Sequence, residues 1–141
     1  MKDLKYLFAY TIPVSAYLSF TSFGLGTYTA VIYAFIIIPF LDSVFGQSKE
    51  NLQENEVKVK KINKVFDIML YINLPIVFGL LWVVFNKVQN IDYSIGEMIG
   101  LSLSTGILLA TNGINVAHEL CHRNKYYEKF IGKALYMPCL Y

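Results

Sequence analysis

Residues 95–117 read IGEMIGLSLSTGILLATNGINVA, an apolar stretch whose one charged side chain is Glu97. A helix needs about 20 predominantly apolar residues to cross the roughly 30 Å of hydrocarbon in a bilayer. Three more blocks of similar length and polarity occur upstream, at 4–23, 25–41 and 65–85. The sequence therefore predicts an all-α integral membrane helical bundle with four transmembrane helices.

The composition of the whole chain supports this interpretation. Hydrophobic residues make up 55% of the 141 residues and charged residues only 16%, far from the balance of an ordinary soluble domain. The one long polar stretch, 42–64, separates the middle two blocks and is too short for an independent domain. We therefore interpret 1–141 as part of one membrane domain, with 42–64 as a cytoplasmic loop.

Basic residues are distributed unevenly across the predicted membrane. If the N-terminus is cytoplasmic, Lys87 is the one basic residue on the outer side. The other eleven then lie on the cytoplasmic side, at positions 2, 5, 49, 58, 60, 61, 64, 123, 125, 129 and 133. Short loops rich in Lys and Arg stay cytoplasmic, so this orientation is predicted, and the basic charge does not indicate nucleic-acid binding. Asp67 and Glu97, near span ends, are expected to snorkel to the interface.

The end of the last block carries the chain's two histidines, His118 and His122, in the stretch NVAHELCHR at 115–123. Residues four apart on a helix lie on the same side, so both imidazoles can bind one metal ion or two neighbouring ones. Neutral imidazole suits Zn, Cu, Fe and Ni alike. Because these 141 residues hold no third histidine, a histidine-rich metal centre has to be completed from outside them.

A helical projection of this block separates polar from small residues. At 100° per residue, four side chains fall within about 40° of one another: Thr111, Asn115, His118 and His122, with Asn112 and Glu119 alongside. The opposite face carries small residues that allow close helix packing: Gly106, Ala110, Gly113 and Ala117. We therefore expect a helix that packs on one side and lines a polar cavity on the other.

Two stretches resemble a known family. Residues 113–123, GINVAHELCHR, closely resemble the first histidine box of membrane alkane 1-monooxygenases, in the fatty acid desaturase/hydroxylase superfamily. Residues 38–46, IPFLDSVFG, resemble the segment of that family that ends the second span and opens the first cytoplasmic loop. The two motifs occur in the family's order, so the resemblance covers nearly the whole chain. It implies the N-terminal portion of a longer enzyme in the bacterial inner membrane.

The resemblance also implies an activity. Enzymes of this family are non-haem di-iron oxygenases that use O2, and electrons from rubredoxin and its reductase, to hydroxylate the terminal carbon of an alkane or alkyl chain. By position in the motif, His118 and His122 would bind iron near the cytoplasmic face. Asn115 and Glu119 would orient these ligands through hydrogen bonds. The family's other histidine boxes have no counterpart here, so this chain alone is expected to be inactive.

Two alternatives stay open at this point. The same motif fits the His-Glu-x-x-His signature of zinc metalloproteases, in which Glu119 would be the general base. Glu128 has the spacing of a third zinc ligand in some of these enzymes, although Lys125 replaces the glycine expected between them. The other alternative is a non-catalytic membrane fragment with a vestigial site.

Overall fold

The computed structural model describes residues 8–45 and 64–140, and every regular element within these ranges is a helix, as predicted. Residues 46–63 of the predicted loop lie outside this description. Numbered along the chain, the α-helical segments are α1 (Thr11–Thr21), α2 (Thr29–Ile32), α3 (Ile38–Phe45), α4 (Lys64–Tyr71), α5 (Asn73–Asn90), α6 (Ile95–Leu108), α7 (Val116–Cys121) and α8 (Tyr126–Tyr136).

Within the described ranges, three continuous helices are long and apolar enough to cross a membrane: Gly24–Val44, Phe66–Asn90 and Ile95–Cys121. They coincide with the predicted blocks 25–41, 65–85 and 95–117. The last one continues through Cys121, so His118 lies inside the helix and not in the connection after it.

The predicted block 4–23 is described from residue 8 onward. It contains α1, a helix of eleven residues, which at 1.5 Å per residue is only about 16 Å long. This helix is nevertheless part of the packed interior, because Ala16 and Phe20 are completely buried. A fourth transmembrane helix and a cytoplasmic N-terminus stay predictions.

Two clusters of buried apolar side chains hold the described helices together. One joins α1, α2, α5 and α6 through Ala16, Phe20, Ala30, Val84, Leu101 and Leu108. The other joins α5, α7 and α8 through Val77, Leu81, Ala117, Leu120 and Leu135. The second cluster anchors the helix that carries the histidine motif, since Ala117 and Leu120 are buried while His118 between them is exposed.

Small polar side chains lie buried where α1 packs against α6. The buried hydroxyl of Ser104 donates to the carbonyl oxygen of Thr27 at 2.8 Å, and its oxygen lies 3.1 Å from the hydroxyl oxygen of Ser19. Ser19 in turn accepts the backbone N–H of Ala30 at 2.9 Å. Such contacts are typical of membrane helices, where close backbone approach and interhelical hydrogen bonds replace the hydrophobic effect.

The carboxylate of Glu97, predicted only to reach the membrane interface, has a structural task at the start of α6. It forms a capping box with Ser94, and its second oxygen accepts the backbone N–H of Gly24 at 2.7 Å. A capping box satisfies N–H groups that have no partner within the helix. Glu97 therefore ties the start of this helix to the turn that precedes α2.

A π-helical segment, Leu109–Asn115, interrupts the predicted regular helix between α6 and α7. Because its hydrogen bonds run from i to i+5, it adds about one residue to a turn and rotates the following helix by about 100°. The predicted small-residue face is accordingly wrong in part: Gly113 and Ala117 are buried, but Gly106 and Ala110 are exposed. A uniform period cannot describe both sides of such a segment.

Candidate functional site

Close packing of α8 against α7 fixes the position of the histidine motif. A Cβ atom added at Gly132 would lie 2.9 Å from the carbonyl oxygen of Ala117 and 2.8 Å from the sulfur of Cys121. One added at Gly113 would lie 3.1 Å from the sulfur of Cys139. Glycine at these two positions therefore lets α8 lie directly against the backbone of the helix that carries the histidines.

His118 and His122 point to the same side of this helix, as their spacing predicts. Their Nε2 atoms are 3.2 Å apart, and the ring planes are inclined by 75° with centroids 4.6 Å apart. Both side chains are exposed. Since metal–imidazole bonds are about 2.1 Å long, the two Nε2 atoms are close enough to bind a single ion.

The two histidines do not form a complete metal site by themselves. Within the ranges 8–45 and 64–140, no group of three or more His, Cys, Asp or Glu side chains is placed to hold a metal ion. Glu128 therefore does not join the histidines as the third ligand that the zinc-protease alternative requires. The donor set fits a metal as a pair of ligands that needs further groups.

A tyrosine that the sequence did not single out contacts the first histidine. The hydroxyl of Tyr136, at the end of α8, lies 3.3 Å from Nδ1 of His118. The orienting role was predicted for Asn115 and Glu119, which are both exposed, and for these two it stays a prediction. The sequence indicated this contact only weakly, through the position of Tyr136 one helical turn after Gly132 on an amphipathic helix.

Next to the histidines, four side chains form a charged cluster: Asp67, Tyr71, Arg123 and Glu128. The Arg123 guanidinium pairs with Asp67 and, at 3.0 Å, with Glu128, and the Tyr71 hydroxyl donates to Glu128. The sequence predicted that Asp67 reaches the interface, which stays a prediction, and did not reveal this pairing with Arg123. Its partner lies 56 residues away in the sequence, and a charge near a membrane span is stabilised by such pairing.

Glu128 is the buried centre of the charged cluster, with only 2% of the residue exposed. Burial raises its pKa, but hydrogen bonds from Tyr71 and Arg123, together with nearby positive charge, outweigh that effect and hold the pKa below its ordinary value. For Arg123, burial lowers the pKa, and the two carboxylates outweigh this and raise it. Both groups are therefore ionised at neutral pH.

A cavity of about 610 Å³ lies beside the histidine helix, which contributes Val116 and Glu119 to its lining. Its walls are mainly apolar, with Phe8, Met69 and Val116 among them, while Glu119 and Arg123 line it as charged groups. At its inner side, the amide of buried Asn112 donates to the side-chain oxygen of Asn73 at 2.8 Å. The cavity has the volume of a small-molecule site and fits an apolar chain better than a polar ligand.

Three long apolar helices and a pair of convergent histidines at the end of one of them define the class: a multi-pass helical membrane protein with a candidate metal site. Sequence comparison narrows this class, because the chain is similar to alkane 1-monooxygenases. It is 30% identical to alkane 1-monooxygenase 1 of Pseudomonas aeruginosa over 129 residues, which are 90% of this chain and 32% of that protein.

Other relatives carry the same name. The chain is 29% identical to the alkane 1-monooxygenase of Pseudomonas putida, over 69% of this chain and 24% of that protein. It is 28% identical to alkane 1-monooxygenase 2 of Alcanivorax borkumensis, over 100% of this chain and 39% of that protein. The chain thus spans about a quarter to two fifths of the length of these relatives. No protein-family model and no solved structure matches it.

These similarities support the resemblance to alkane 1-monooxygenases and do not favour the protease alternative. Six relatives match at 25–30% identity over part of their length, and those named above are oxidoreductases by name. The iron centre and the electron donor that the resemblance implies stay predictions.

Proposed function

We propose that this chain forms part of a membrane-bound monooxygenase that uses O2 to hydroxylate the terminal carbon of an alkane or alkyl chain. The observation that carries the proposal is the convergence of the two Nε2 atoms, 3.2 Å apart, in a chain similar to alkane 1-monooxygenases. In this proposal, His118 and His122 provide two ligands of a di-iron centre, and residues outside the described ranges provide the others.

The metal has a clear chemical task in this reaction. Breaking an unactivated C–H bond is beyond acid and base side chains, and bound iron with O2 supplies the oxidising chemistry. The chain's own residues bind the metal and control its surroundings. Ala117 and Leu120, buried against α5 and α8, anchor the helix that carries the histidines.

The walls of the cavity support the proposed substrate class. An alkane dissolves in the bilayer, and long helices rich in Phe, Leu, Ile and Val give it access to the protein from the lipid. The cavity beside Asn73 and Glu119 offers mainly apolar surface, to which an unsubstituted chain can bind without losing hydrogen bonds to water. We therefore propose an apolar alkyl substrate.

Neighbouring basic residues support the proposed location of the site. Several basic residues follow the histidines, namely Arg123, Lys125, Lys129 and Lys133, and basic residues favour the cytoplasmic side. We place the metal site near the cytoplasmic face of a bacterial inner membrane. From that side a soluble electron carrier such as rubredoxin, with its reductase, can deliver the two electrons that O2 activation requires.

Alkane oxidation by the intact protein, loaded with Fe²⁺ and supplied with a rubredoxin reductase system, tests this proposal. Terminal alcohol should form from an alkane, and His118→Ala and His122→Ala should each lower its rate by about 100-fold or more, because even outer groups of a metal site cost 10 to 100-fold. Asn124→Ala, an exposed site just after the motif, is the control and should retain activity.

Intact protein that oxidises no alkane or alkyl compound under these conditions would overturn the proposal. Tightly held zinc, together with peptidase activity that is lost in Glu119→Gln, would instead identify the metalloprotease. Full activity in both histidine variants would show that the pair has no part in the reaction.

A further inference from the structure

The contact between Tyr136 and His118 depends on the glycine that lets two helices touch. At Gly132, α8 approaches so closely that an added Cβ atom would lie 2.9 Å from the carbonyl oxygen of Ala117. Tyr136 is one helical turn beyond Gly132, and His118 directly follows Ala117. The same close approach that seats α8 on α7 therefore brings the Tyr136 hydroxyl to 3.3 Å from Nδ1 of His118.

This hydroxyl can pair with either tautomer of the imidazole. If His118 carries its proton on Nε2, then Tyr136 donates to Nδ1. If the proton is on Nδ1, then Nδ1–H donates to the tyrosine oxygen and Nε2 presents a lone pair. In the second state, the lone pair lies on the side of Nε2 of His122, 3.2 Å away. Only this state of His118 can bind a metal through Nε2.

We propose that Tyr136 is the positioning residue for His118: its hydroxyl oxygen accepts the Nδ1–H bond and holds Nε2 in the unprotonated, ligand-ready state beside His122. The inference rests on the proposed function, which makes His118 a metal ligand. It assigns the orienting role to α8, on the other side of the turn, and not to neighbours on the histidine helix. Hydrogen bonds of this kind fix the tautomer and ring orientation of metal-binding histidines.

Tyr136→Phe isolates this role, because it removes the hydroxyl and keeps the ring that packs against the buried cluster of Ala117, Leu120 and Leu135. The matched control is Tyr28→Phe, which loses a 2.7 Å hydrogen bond to the carbonyl oxygen of Gly96 at the other end of the bundle. Both variants are made in the intact protein. A general effect of losing a tyrosine hydroxyl would appear in both, and an effect on His118 in the first alone.

The direct measurement is the tautomer of His118 in metal-free protein labelled with ¹⁵N-histidine. The His118 resonances are identified by their loss in His118→Gln. We expect the Nδ1–H tautomer to dominate in the wild type and in Tyr28→Phe, and to give way to the Nε2–H tautomer in Tyr136→Phe. An unchanged tautomer population in Tyr136→Phe would overturn the inference.

Fe²⁺ affinity provides a second readout that needs no turnover. Tyr136→Phe should weaken Fe²⁺ binding by about 10 to 100-fold, the usual effect of removing a group that orients a ligand, and Tyr28→Phe should leave it unchanged. Equal Fe²⁺ affinity in Tyr136→Phe and wild type would count against the inference and leave the proposed function standing. Wild-type protein without affinity for Fe²⁺ would overturn the proposed function, and the tautomer measurement would still decide the inference.

Discussion

The charged cluster and the histidine pair lie within a few residues of each other, but the polar groups of the first are partnered within the chain and those of the second are exposed. In the charged cluster, Arg123 and Tyr71 satisfy a Glu128 carboxylate that is almost completely buried. In the histidine pair, two exposed rings turn their Nε2 atoms toward each other. The charged cluster is complete within the chain, whereas the described residues place no further His, Cys, Asp or Glu beside the histidine pair to complete a metal site.

The difference follows from the cost of burial. A buried charge without a partner costs several kcal/mol, so the chain has to provide the partner itself. Exposed imidazoles carry no such cost, because water solvates them, and they can be presented to an ion. We infer that the charged cluster holds α4, α7 and α8 in place. The histidine pair lies on the surface that these helices form. Substitutions in the two groups should therefore act on different properties.

The largest effect on stability is expected for Arg123→Met. This change removes the guanidinium that pairs with the buried carboxylate of Glu128 and leaves only the exposed ammonium of Lys125 near it, at 4.0 Å. Removal of one member of a buried pair costs about 3–5 kcal/mol. Because the Arg123 side chain is 24% exposed, we expect about 3 kcal/mol, measured as the free energy of unfolding in detergent micelles. Adding Glu128→Gln should recover part of the loss. An unchanged free energy of unfolding in the single variant would show that the charged cluster does not stabilise the fold.

A smaller effect is expected at the inner side of the cavity. Asn112→Ala removes the hydrogen bond to Asn73, which links the π-helical segment to α5. Interhelical hydrogen bonds between membrane helices contribute about 0.6 kcal/mol on average and up to about 2 kcal/mol, so we expect a loss of about 1 kcal/mol. Combining it with Asn73→Ala should cost less than the sum of the two single changes. Strict additivity would mean that the two amides do not interact.

The smallest effect is a pH dependence that comes from Glu128. Its pKa in the folded protein lies below the ordinary carboxyl value of 4.5, so the unfolded state binds the proton more readily. The resulting stabilisation is complete above about pH 5 and is lost as the pH falls through the folded-state pKa. Unfolding measured from pH 7 to pH 3 should show a shallower decline in Glu128→Gln than in the wild type. Identical dependence of stability on pH in the two proteins would show that Glu128 is not the cause of the decline.

Some features of this architecture can be predicted from neighbouring residues in the sequence, and others cannot. Hydropathy locates the three long helices because a span is a continuous run of apolar residues. The spacing of His118 and His122 predicts their common direction because the helix between them is regular. Both inferences use only neighbours along the chain, and both are confirmed.

The missed features depend on backbone hydrogen bonding or on distant partners. The π-helical segment Leu109–Asn115 shifts the face of the helix without any change in composition. Asp67 finds Arg123 across 56 residues, and Tyr136 reaches His118 only because Gly132 allows α8 to touch α7. No periodicity within one segment contains this information.

Fe²⁺ binding by the intact protein, measured together with its stability, tests the central claim most directly. The account predicts that wild-type protein binds Fe²⁺, and that His118→Ala and His122→Ala lose this binding while the unfolding free energy of the metal-free protein stays within about 0.5 kcal/mol, as is usual for exposed positions. Wild-type protein without affinity for iron, or histidine variants that retain it in full, would contradict the account.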